Sequence, residues 1–312
     1  MKRLTLKQLR YFDALAHHGH FGRAAEASAI TQPALSMQIK ELEDALGGVL
    51  FERGARQVRL TALGESAAQR VGNILRSVDE LGDFARASLD RLVGRLRIGM
   101  IPTIAPYLLP TFMGNIMRLY PELDIHIRET QTKKLIQELV EGRLDTAIVA
   151  LPVSEPSLTE VALFAENFLL VRPGKDEGTP VPSSDKLRDM RLLLLEEGHC
   201  FRDQALTFCN MQLSQPREVL AASSLSTLVQ MVNAGIGVTL IPEMAMAVET
   251  RSVSVSVARF KYPQPSRTIG MIWRNTSPLA RQFKQISDVV YLTAGALRKQ
   301  QGLASSARGP RT

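Results

Sequence analysis

The sequence predicts a small all-α module, a linker helix and a larger α/β part made of two lobes. Three observations support this fold class. Apolar residues recur at helical spacing between residues 6 and 46, a second helical stripe runs from 67 to 85, and short apolar strands alternate with helical stretches from residue 94 onward. With 312 residues, of which 45% are hydrophobic and 22% are charged, the chain is long enough for two or three globular domains.

Charge and the lack of an apolar leader indicate where the chain works. Its net charge is +7, and residues 1–60 carry nine Lys and Arg against six Asp and Glu, a balance of +3. A basic N-terminal module favours a polyanion such as DNA, because Lys and Arg neutralise phosphates and release counterions. The first eight residues lack a signal-peptide apolar stretch, and no apolar run approaches the length of a membrane span. We therefore expect a cytoplasmic protein that does not enter a membrane.

Three helices are predicted in the N-terminal module. The first has apolar residues at helical spacing: Leu6, Leu9, Phe12 and Leu15. Gly19 breaks that pattern, and a short second helix contains Ala24 and Ala25. Thr31 is the predicted N-cap of the third helix, and Pro33 lies in its first turn, where the missing N–H costs nothing.

The third helix is predicted to have one buried and one exposed face. Its apolar stripe is Leu35, Ile39, Leu42 and Leu46. Gln32, Ser36 and Lys40 are four residues apart on a different face. These are side chains that read base edges and phosphates from a recognition helix in the major groove. The alternative is an ordinary solvated helix face.

Residues 51–61 add a basic turn after the third helix. Its arginines lie around a glycine and are typical of a wing that contacts the DNA backbone: Arg53, Arg56 and Arg59. Together with the segments 21–26, 31–36 and 39–43, this turn makes residues 1–61 closely resemble the winged helix-turn-helix of LysR-type transcription regulators. The resemblance implies that the chain binds double-stranded operator DNA. The DNA-contacting residues it implies are Thr31, Gln32, Pro33, Ser36, Lys40, Arg53 and Arg56.

The stripe after the module predicts a linker helix over residues 62–91. Its members alternate spacings of four and three: Ala67, Val71, Ile74, Val78, Leu81 and Ala85. Such a seam is typical of a helix that pairs with a second copy of the chain. Gly72 and Gly82 each weaken the helix by about 1 kcal/mol relative to Ala, so the seam needs other contacts. The alternative is that the stripe packs on its own domain.

From residue 94 the pattern changes to alternating strands and helices. The first series has strands at 96–98, 123–127 and 145–149 and helices at 106–119 and 132–142. The second series has strands near 168–172, 191–195, 218–221 and 237–241 and helices near 203–209, 224–234 and 243–248. A strand at 268–273 and a closing helix at 279–298 that returns to the first lobe complete the chain. This alternation predicts a mostly parallel sheet.

Two Rossmann-like lobes of this kind resemble the periplasmic-binding-protein-like regulatory domain of LysR-type proteins, and residues 233–242 match a familiar segment of it. In that fold an effector binds between the lobes. We expect a DNA-binding domain at 1–61, a linker and dimerisation helix at 62–91, a regulatory domain at 92–299 and a disordered tail at 300–312. Within the regulatory domain we expect lobe I at about 92–163 and 268–299, and lobe II at about 164–267.

The segment 198–209 holds the only two cysteines of the chain, Cys200 and Cys209. His199 and Arg202 lie beside Cys200, and cationic neighbours favour the reactive thiolate, which makes Cys200 the better activated thiol. In one continuous helix, nine residues of separation would turn the two side chains to opposite faces, about 13 Å apart along the axis. A disulfide needs Cα atoms within about 7 Å, so it requires a loop here or local refolding. The alternative is that both thiols are inert buried side chains.

Residues 194–205, with the cysteine at 209, closely resemble the peroxide-sensing members of the LysR family. Supporting matches lie at 101–103, 106–110, 131–132 and 267–270. The resemblance covers roughly residues 1–290. It implies that hydrogen peroxide oxidises Cys200 to a sulfenic acid, which forms a reversible disulfide with Cys209. The disulfide would remodel the regulatory domain and change promoter binding and the transcription of antioxidant genes.

The same resemblance implies a peroxide pocket and a set of partners. Three residues would line the pocket: Thr103, Thr132 and His199. Three more would support it: Arg202, Asp203 and Arg267. The implied partners are operator DNA, hydrogen peroxide, RNA polymerase and further copies of the chain in a homodimer or tetramer. No cofactor or metal is expected.

Other interpretations remain open from the residues alone. The two threonines each follow a predicted strand and are also typical helix caps. An activated thiol with a resolving thiol is equally typical of a thiol peroxidase, although that enzyme would leave the helix-turn-helix unused. A LysR-type regulator of a small metabolite, with inert cysteines, is a further alternative. A metal site is disfavoured, because two cysteines and His199 lack a fourth ligand.

Overall fold

The computed structural model describes residues 4–53, 58–88, 92–183, 186–187, 190–209 and 220–300. The chain divides into two compact units, Met1–Ala85 and Arg86–Thr312, which are described separately below. Among the described helices, none is both long enough and apolar enough to cross a membrane.

The first unit consists of helices and one short hairpin. Its elements are α1 Leu6–His18, α2 Phe21–Ala27, α3 Gln32–Leu46, β1 Phe51–Arg53, β2 Val58–Leu60 and most of α4 Ala62–Ser88. Thr31 caps α3 as predicted, since its hydroxyl accepts a hydrogen bond from the backbone N–H of Ala34 at 3.4 Å. Gly19 ends α1 in the left-handed conformation with φ 59°, which a residue with a Cβ rarely adopts. The strands β1 and β2 pair antiparallel and form the predicted wing.

One hydrophobic core holds this unit together. Its fully buried members include Phe12, Leu15, Leu35, Ile39, Leu42 and Leu50. Burying each of these side chains contributes roughly 1.5–3 kcal/mol. The prediction was wrong at Leu46, which is 42% exposed. Leu46 is the last residue of α3, and the chain after Gly47 buries Leu50 and Phe51 in the core at this end instead.

The linker helix α4 was predicted either to pair with a second copy of the chain or to pack on its own domain. Its first turns agree with the second interpretation, and its later turns leave the first one open. Near its start, Ala67 and Val71 pack against the core of their own unit. Further along, Ile74 is 45% exposed and Leu81 is 70% exposed, and both belong to the predicted seam. Phe84, which the seam did not include, is also exposed. The apolar stripe therefore packs locally in its first turns and is open to solvent in its later ones.

The second unit is an α/β structure around a nine-stranded sheet. Its strands are β3 Gly94–Met100, β4 Leu123–Glu129, β5 Thr146–Leu151, β6 Leu158–Pro173, β7 Leu192–Leu195, β8 Ala221–Ala222, β9 Val238–Pro242, β10 Val255–Arg259 and β11 Ser266–Arg274. Its helices are α5 Ala105–Leu119, α6 Thr132–Val140, α7 Cys200–Phe208, α8 Leu225–Asn233, α9 Met246–Glu249 and α10 Ala280–Gln300. Two 3-10 turns lie at Gly174–Asp176 and Glu243–Ala245.

The strand order is β4-β3-β5-β11-β6-β9-β7-β8, with β10 paired to β6. The prediction of a mostly parallel sheet was wrong. Each end of the sheet is parallel, but β6 and β11 run antiparallel to their neighbours. The local pattern of strands and helices did not show that β11 returns between β5 and β6 and runs opposite to both, nor that β6 pairs first with β11 and then with β9 and β10. One long strand thereby joins two α/β lobes.

The closing helix α10 returns to the first lobe, as predicted. It packs on α5, where the Asn115 amide donates to the Thr293 hydroxyl at 3.0 Å. Gln300, predicted to begin the disordered tail, is instead the last residue of α10. Residues 301–312 of that tail, and 89–91 of the predicted linker, lie outside the described residues.

Candidate functional site

A small pocket lies where three segments of the second unit meet. It encloses about 170 Å³ of empty space, part of it open to solvent. Its walls are Ile101, Pro102, Thr103, Gln131, Thr132, His199, Cys200 and Phe201. These residues follow the carboxyl ends of β3, β4 and β7, the edge at which open α/β sheets bind ligands.

Cys200 reaches this pocket from the start of a helix. It is the first residue of α7 and is half-buried, with a free thiol. The unpaired N–H groups of a helix N-terminus stabilise negative charge nearby. Gly198 turns the chain into α7 with φ 91°, and Gln131 holds the turn by donating its amide to the Glu197 carbonyl at 3.2 Å.

Both predicted threonines line the pocket, and neither is a helix cap. The N-cap of α5 is Ile104 and that of α6 is Gln131. The Thr103 hydroxyl accepts a hydrogen bond from Arg267 at 2.7 Å. The Thr132 hydroxyl is buried and has no hydrogen-bond partner among the described residues. An unpaired buried hydroxyl costs free energy, so one at the wall of a pocket is a candidate ligand contact.

Behind Thr103 lies a buried ion pair. Arg267 on β11 and Glu166 on β6 are cross-strand partners, and their side chains are 0% and 1% exposed. Arg267 also donates to the Thr103 carbonyl at 3.1 Å. Its guanidinium lies 5.3 Å from the ring centre of Phe201, the residue that follows Cys200. Arg267 therefore contacts two walls of the pocket without lining it.

His199 lines the pocket but does not supply the predicted positive charge. It is buried, and this desolvation lowers the pKa of its imidazole, while the carboxylate of Glu196 acts weakly in the opposite direction. A lowered pKa leaves the ring neutral around pH 7. A neutral imidazole still carries one N–H, so His199 retains the capacity to donate a hydrogen bond.

Arg202 and Asp203 are not among the described residues that line the pocket. The guanidinium of Arg202 donates to the Leu195 carbonyl at 2.9 Å, which ties α7 back to the end of β7. Asp203 is exposed, and its backbone carbonyl accepts the hydroxyl of Thr207. Arg202 therefore holds the helix, and its expected effect on the Cys200 thiol stays a prediction.

Cys209 lies away from the pocket. It caps the carboxyl end of α7 and is fully buried, and burial raises the pKa of its thiol to about 11. Since α7 is one continuous helix, Cys200 and Cys209 face opposite sides and lie about 13 Å apart along its axis. A disulfide between them requires α7 to unwind.

The predicted DNA-contacting residues lie on α3 and the wing of the first unit. Gln32, Pro33 and Lys40 are exposed, and Ser36 is half-buried on the same helix. Thr31 caps the helix with its hydroxyl. Arg53 ends β1, while Arg56 lies outside the described residues.

Four lining residues, and Glu166 behind them, were given no role from the sequence; the four are Ile101, Pro102, Gln131 and Phe201. Gln131 lines the pocket and holds the Gly198 turn, and Glu166 holds Arg267. The glutamine lies beside Thr132 and could have been found by its position after β4. Glu166 gave no signal, because its partner is 101 residues away in the chain.

Within the described residues, no group of three or more His, Cys, Asp and Glu side chains is arranged to hold a metal ion. The two cysteines are at opposite ends of α7, which removes them as joint ligands. The polar groups of the pocket wall are a thiol, two hydroxyls, an imidazole and the side-chain amide of Gln131.

Both the N-terminal part and the larger second part of this chain match known protein families. Residues 90–290 match the LysR substrate binding domain, and residues 6–65 match the bacterial regulatory helix-turn-helix protein, lysR family. The chain is 42% identical over 290 residues to the probable hydrogen peroxide-inducible genes activator of Streptomyces viridosporus, covering 91% of this chain and 92% of the relative. It is 38% identical over 291 residues to the DNA-binding transcriptional dual regulator OxyR of Escherichia coli, covering 92% and 95%.

Two solved structures are similar along nearly the whole chain. Full-length OxyR of Pseudomonas aeruginosa with a cysteine-to-aspartate substitution has a TM-score of 0.75 and 36% identity, covering 94% of this chain and 96% of that one. A cysteine-to-serine variant of Corynebacterium glutamicum OxyR with bound hydrogen peroxide has a TM-score of 0.66 and 35% identity, covering 99% of each chain. The chain belongs to the LysR family of bacterial helix-turn-helix regulators and, within it, is similar to OxyR.

Proposed function

We propose that this chain is a cytoplasmic transcription regulator that senses hydrogen peroxide through Cys200. One observation carries the proposal: a half-buried thiol at a helix N-terminus shares a small pocket with the hydroxyls of Thr103 and Thr132, the second of which has no partner among the described residues. The similarity to peroxide-inducible activators, one with peroxide bound, supports the same chemistry.

The first step is displacement at one oxygen of the peroxide. The thiolate of Cys200 attacks that oxygen, the O–O bond breaks, and the second oxygen leaves as hydroxide, which takes up a proton to become water. Sulfur is oxidised to sulfenic acid and the peroxide is reduced. Thr103 and Thr132 act as hydrogen-bond donors to the oxygens, and His199 donates through its remaining N–H.

The second step joins the two cysteines. The thiolate of Cys209 attacks the Cys200 sulfur, the S–O bond breaks, and the hydroxyl leaves as water, so that one peroxide and two thiols give one disulfide and two waters. This cannot occur while α7 is intact, because Cys209 is buried at its far end. Formation of the disulfide is therefore coupled to refolding of the segment that begins at Gly198. A dithiol reductant reverses it.

Refolding of α7 supplies the output. We infer that it changes how the second units of two chains pair, and so changes the spacing or bend of operator half-sites held by α3 and the wing. The exposed apolar side chains of Ile74 and Leu81 on α4 support assembly as a dimer, which pairs into a tetramer. RNA polymerase is the proposed partner at activated promoters.

Two other functions are less well supported. A thiol peroxidase would use the same two cysteines but has no use for a helix-turn-helix unit with exposed Gln32 and Lys40. A regulator of a small metabolite bound between the lobes, with inert cysteines, would leave the thiol and the two hydroxyls that meet in the pocket without a role.

The test is a free-thiol count on reduced protein before and after brief exposure to near-equimolar hydrogen peroxide. We expect the native protein to lose both thiols. Cys200→Ser should keep its remaining thiol, whereas Cys209→Ser should lose its remaining thiol to sulfenic acid. Two unreacted thiols in the native protein would contradict peroxide sensing, and sustained turnover with a dithiol reductant would favour the peroxidase.

A further inference from the structure

We propose that Glu166 is a positioning residue for the reaction of Cys200 with peroxide: it holds Arg267 so that the Thr103 hydroxyl faces the pocket as a hydrogen-bond donor. This inference rests on the proposed function. Glu166 lies outside the pocket wall and acts only through Arg267 and Thr103.

Both carboxylate oxygens of Glu166 are engaged. Oε2 accepts from Nε of Arg267 at 2.9 Å and lies 2.8 Å from its Nη2. Oε1 accepts the backbone N–H of Met244 at 2.8 Å. The pair is also fixed by the sheet, since Glu166 and Arg267 are opposite each other in the β6–β11 register. A carboxylate held from two directions gives its partner one orientation.

Arg267 transmits that orientation to the pocket. Its Nη1 donates to the Thr103 hydroxyl at 2.7 Å and its Nη2 donates to the Thr103 carbonyl at 3.1 Å. The same guanidinium stacks near Phe201, whose neighbour in sequence is Cys200. One cation therefore aligns the hydroxyl wall of the pocket with the helix that carries the thiol.

The direction of the Arg267–Thr103 bond determines what Thr103 can do. A hydroxyl has one proton and two acceptor lone pairs. Because Arg267 occupies a lone pair, the hydroxyl proton remains free for the peroxide, and in the described part of the chain Thr103 Oγ1 makes no other hydrogen bond. A donor aimed at the leaving oxygen stabilises the negative charge that develops there. Without Glu166, the buried guanidinium loses its counter-charge and its fixed direction.

The test uses Cys209→Ser protein, so that only Cys200 reacts. We expect Glu166→Gln to lower the second-order rate constant with hydrogen peroxide by roughly tenfold to a hundredfold, the scale expected when a catalytic group is misplaced by about 1 Å. Alkylation of Cys200 by iodoacetamide, which does not use Thr103, should not slow, and its pH profile should not move to higher pH.

Two controls separate positioning from general damage. Asp145→Asn removes the charge of a matched buried carboxylate, which pairs with Arg97 beside the amino end of β5 and away from Thr103, and should leave the peroxide rate constant unchanged. In a Thr103→Val background, Glu166→Gln should cause no further loss, because the hydroxyl that it positions is gone.

The outcomes distinguish this inference from the proposed function. If Cys209→Ser protein with native Glu166 does not react with peroxide, the proposed function fails. If that protein reacts and the Glu166→Gln variant reacts equally fast, the proposed function stands and only the role of Glu166 fails. The role of Glu166 also fails if alkylation of Cys200 slows in parallel with the peroxide reaction. Should Glu166→Gln not fold, Glu166→Asp keeps the charge but withdraws it by one methylene. Glu166→Asp should slow the reaction with peroxide but not alkylation by iodoacetamide. An unchanged rate constant with peroxide overturns the inference.

Discussion

Cys200 is the first residue of α7 and Cys209 caps its carboxyl end, so one helix separates the two thiols of the chain. The first thiol is half-buried at the pocket, and the second is fully buried. Their chemistry is therefore ordered by access: oxidation begins at Cys200, and Cys209 joins only after the helix has opened. Four predictions test this arrangement and the two units that flank it.

The first prediction concerns the pH dependence of stability. Burial raises the pKa of the Cys209 thiol from its ordinary 9.0 to about 11, because the folded state disfavours the thiolate. A raised folded-state pKa contributes stability that is fully present below pH 9 and is lost as the pH rises from 9 to 11. Urea unfolding at increasing pH should show this loss in the reduced native protein.

The matched control for this prediction is Cys209→Ala, which removes the titrating thiol and keeps a small apolar side chain. Its stability should fall less steeply over the same pH interval. The initial reaction of Cys200 with peroxide should be unchanged in this variant, since Cys209 is not in the pocket. Identical pH profiles for the two proteins would mean that Cys209 is already accessible in the folded state.

The second prediction concerns the unwinding of α7. Thr207 is an exposed residue of this helix, and its hydroxyl donates back to the Asp203 carbonyl. Ala and Gly at this position differ by about 1 kcal/mol in helix propensity, or about fivefold in an equilibrium constant. If α7 must open before the disulfide forms, Thr207→Gly should form it up to about fivefold faster than Thr207→Ala.

Both steps can be followed by stopped-flow measurements, with the sulfenic acid trapped only in a parallel sample that reports the first step. The first step, loss of the Cys200 thiol, should have the same rate in the Gly and Ala variants, which serve as each other's control. Equal rates for the second step as well would show that opening of α7 does not limit disulfide formation.

The sequence predicted the elements well and the contacts between distant elements poorly. Helical spacing identified α1 and α5, and the cap at Thr31 was confirmed. In contrast, β10 was missed. Only part of β6 was predicted, because a strand that crosses from one lobe to the other follows no local rule. These local patterns carry no information about register.

The same division applies to the site. Thr103, Thr132, His199 and Cys200 were expected to meet, and the structure brings them together at one pocket. The neutral state of His199 could not be predicted, because it depends on burial by residues far away in the chain. Likewise, the pairing of Arg267 with Glu166 follows from the β6–β11 register, which requires the folded sheet.

The third prediction concerns the turn that leads into α7. Gly198 has φ 91°, and a Cβ added there would overlap the side-chain amide of Gln131. We expect Gly198→Ala to destabilise the protein by more than the roughly 1–2 kcal/mol of the backbone conformation alone. It should also slow the reaction with peroxide, since Gln131 is a pocket wall.

Gly178→Ala is the matched control. Gly178 has φ 77°, close to that of Gly198, but a Cβ there would meet nothing within 4 Å. Unfolding free energies of the two variants, measured side by side, isolate the effect of displacing Gln131. Equal losses of stability and unchanged peroxide rates in both would remove Gln131 from the functional pocket.

The fourth prediction concerns the DNA-binding surface. Lys40 is exposed on α3, on the same face as Gln32, and a lysine that neutralises one phosphate contributes about one to the slope of log affinity against log salt. Lys40→Ala should therefore weaken operator binding and reduce that slope by about one per protomer. The control is Lys284→Ala, which removes an exposed lysine on α10 of the second unit and should change neither quantity.

Because counterion release depends on the number of phosphate contacts and not on base identity, Lys40→Ala should weaken binding to specific and to non-specific DNA by similar factors. A loss confined to the specific operator would instead make Lys40 a reader of bases, and an unchanged slope would exclude it from the phosphate contacts.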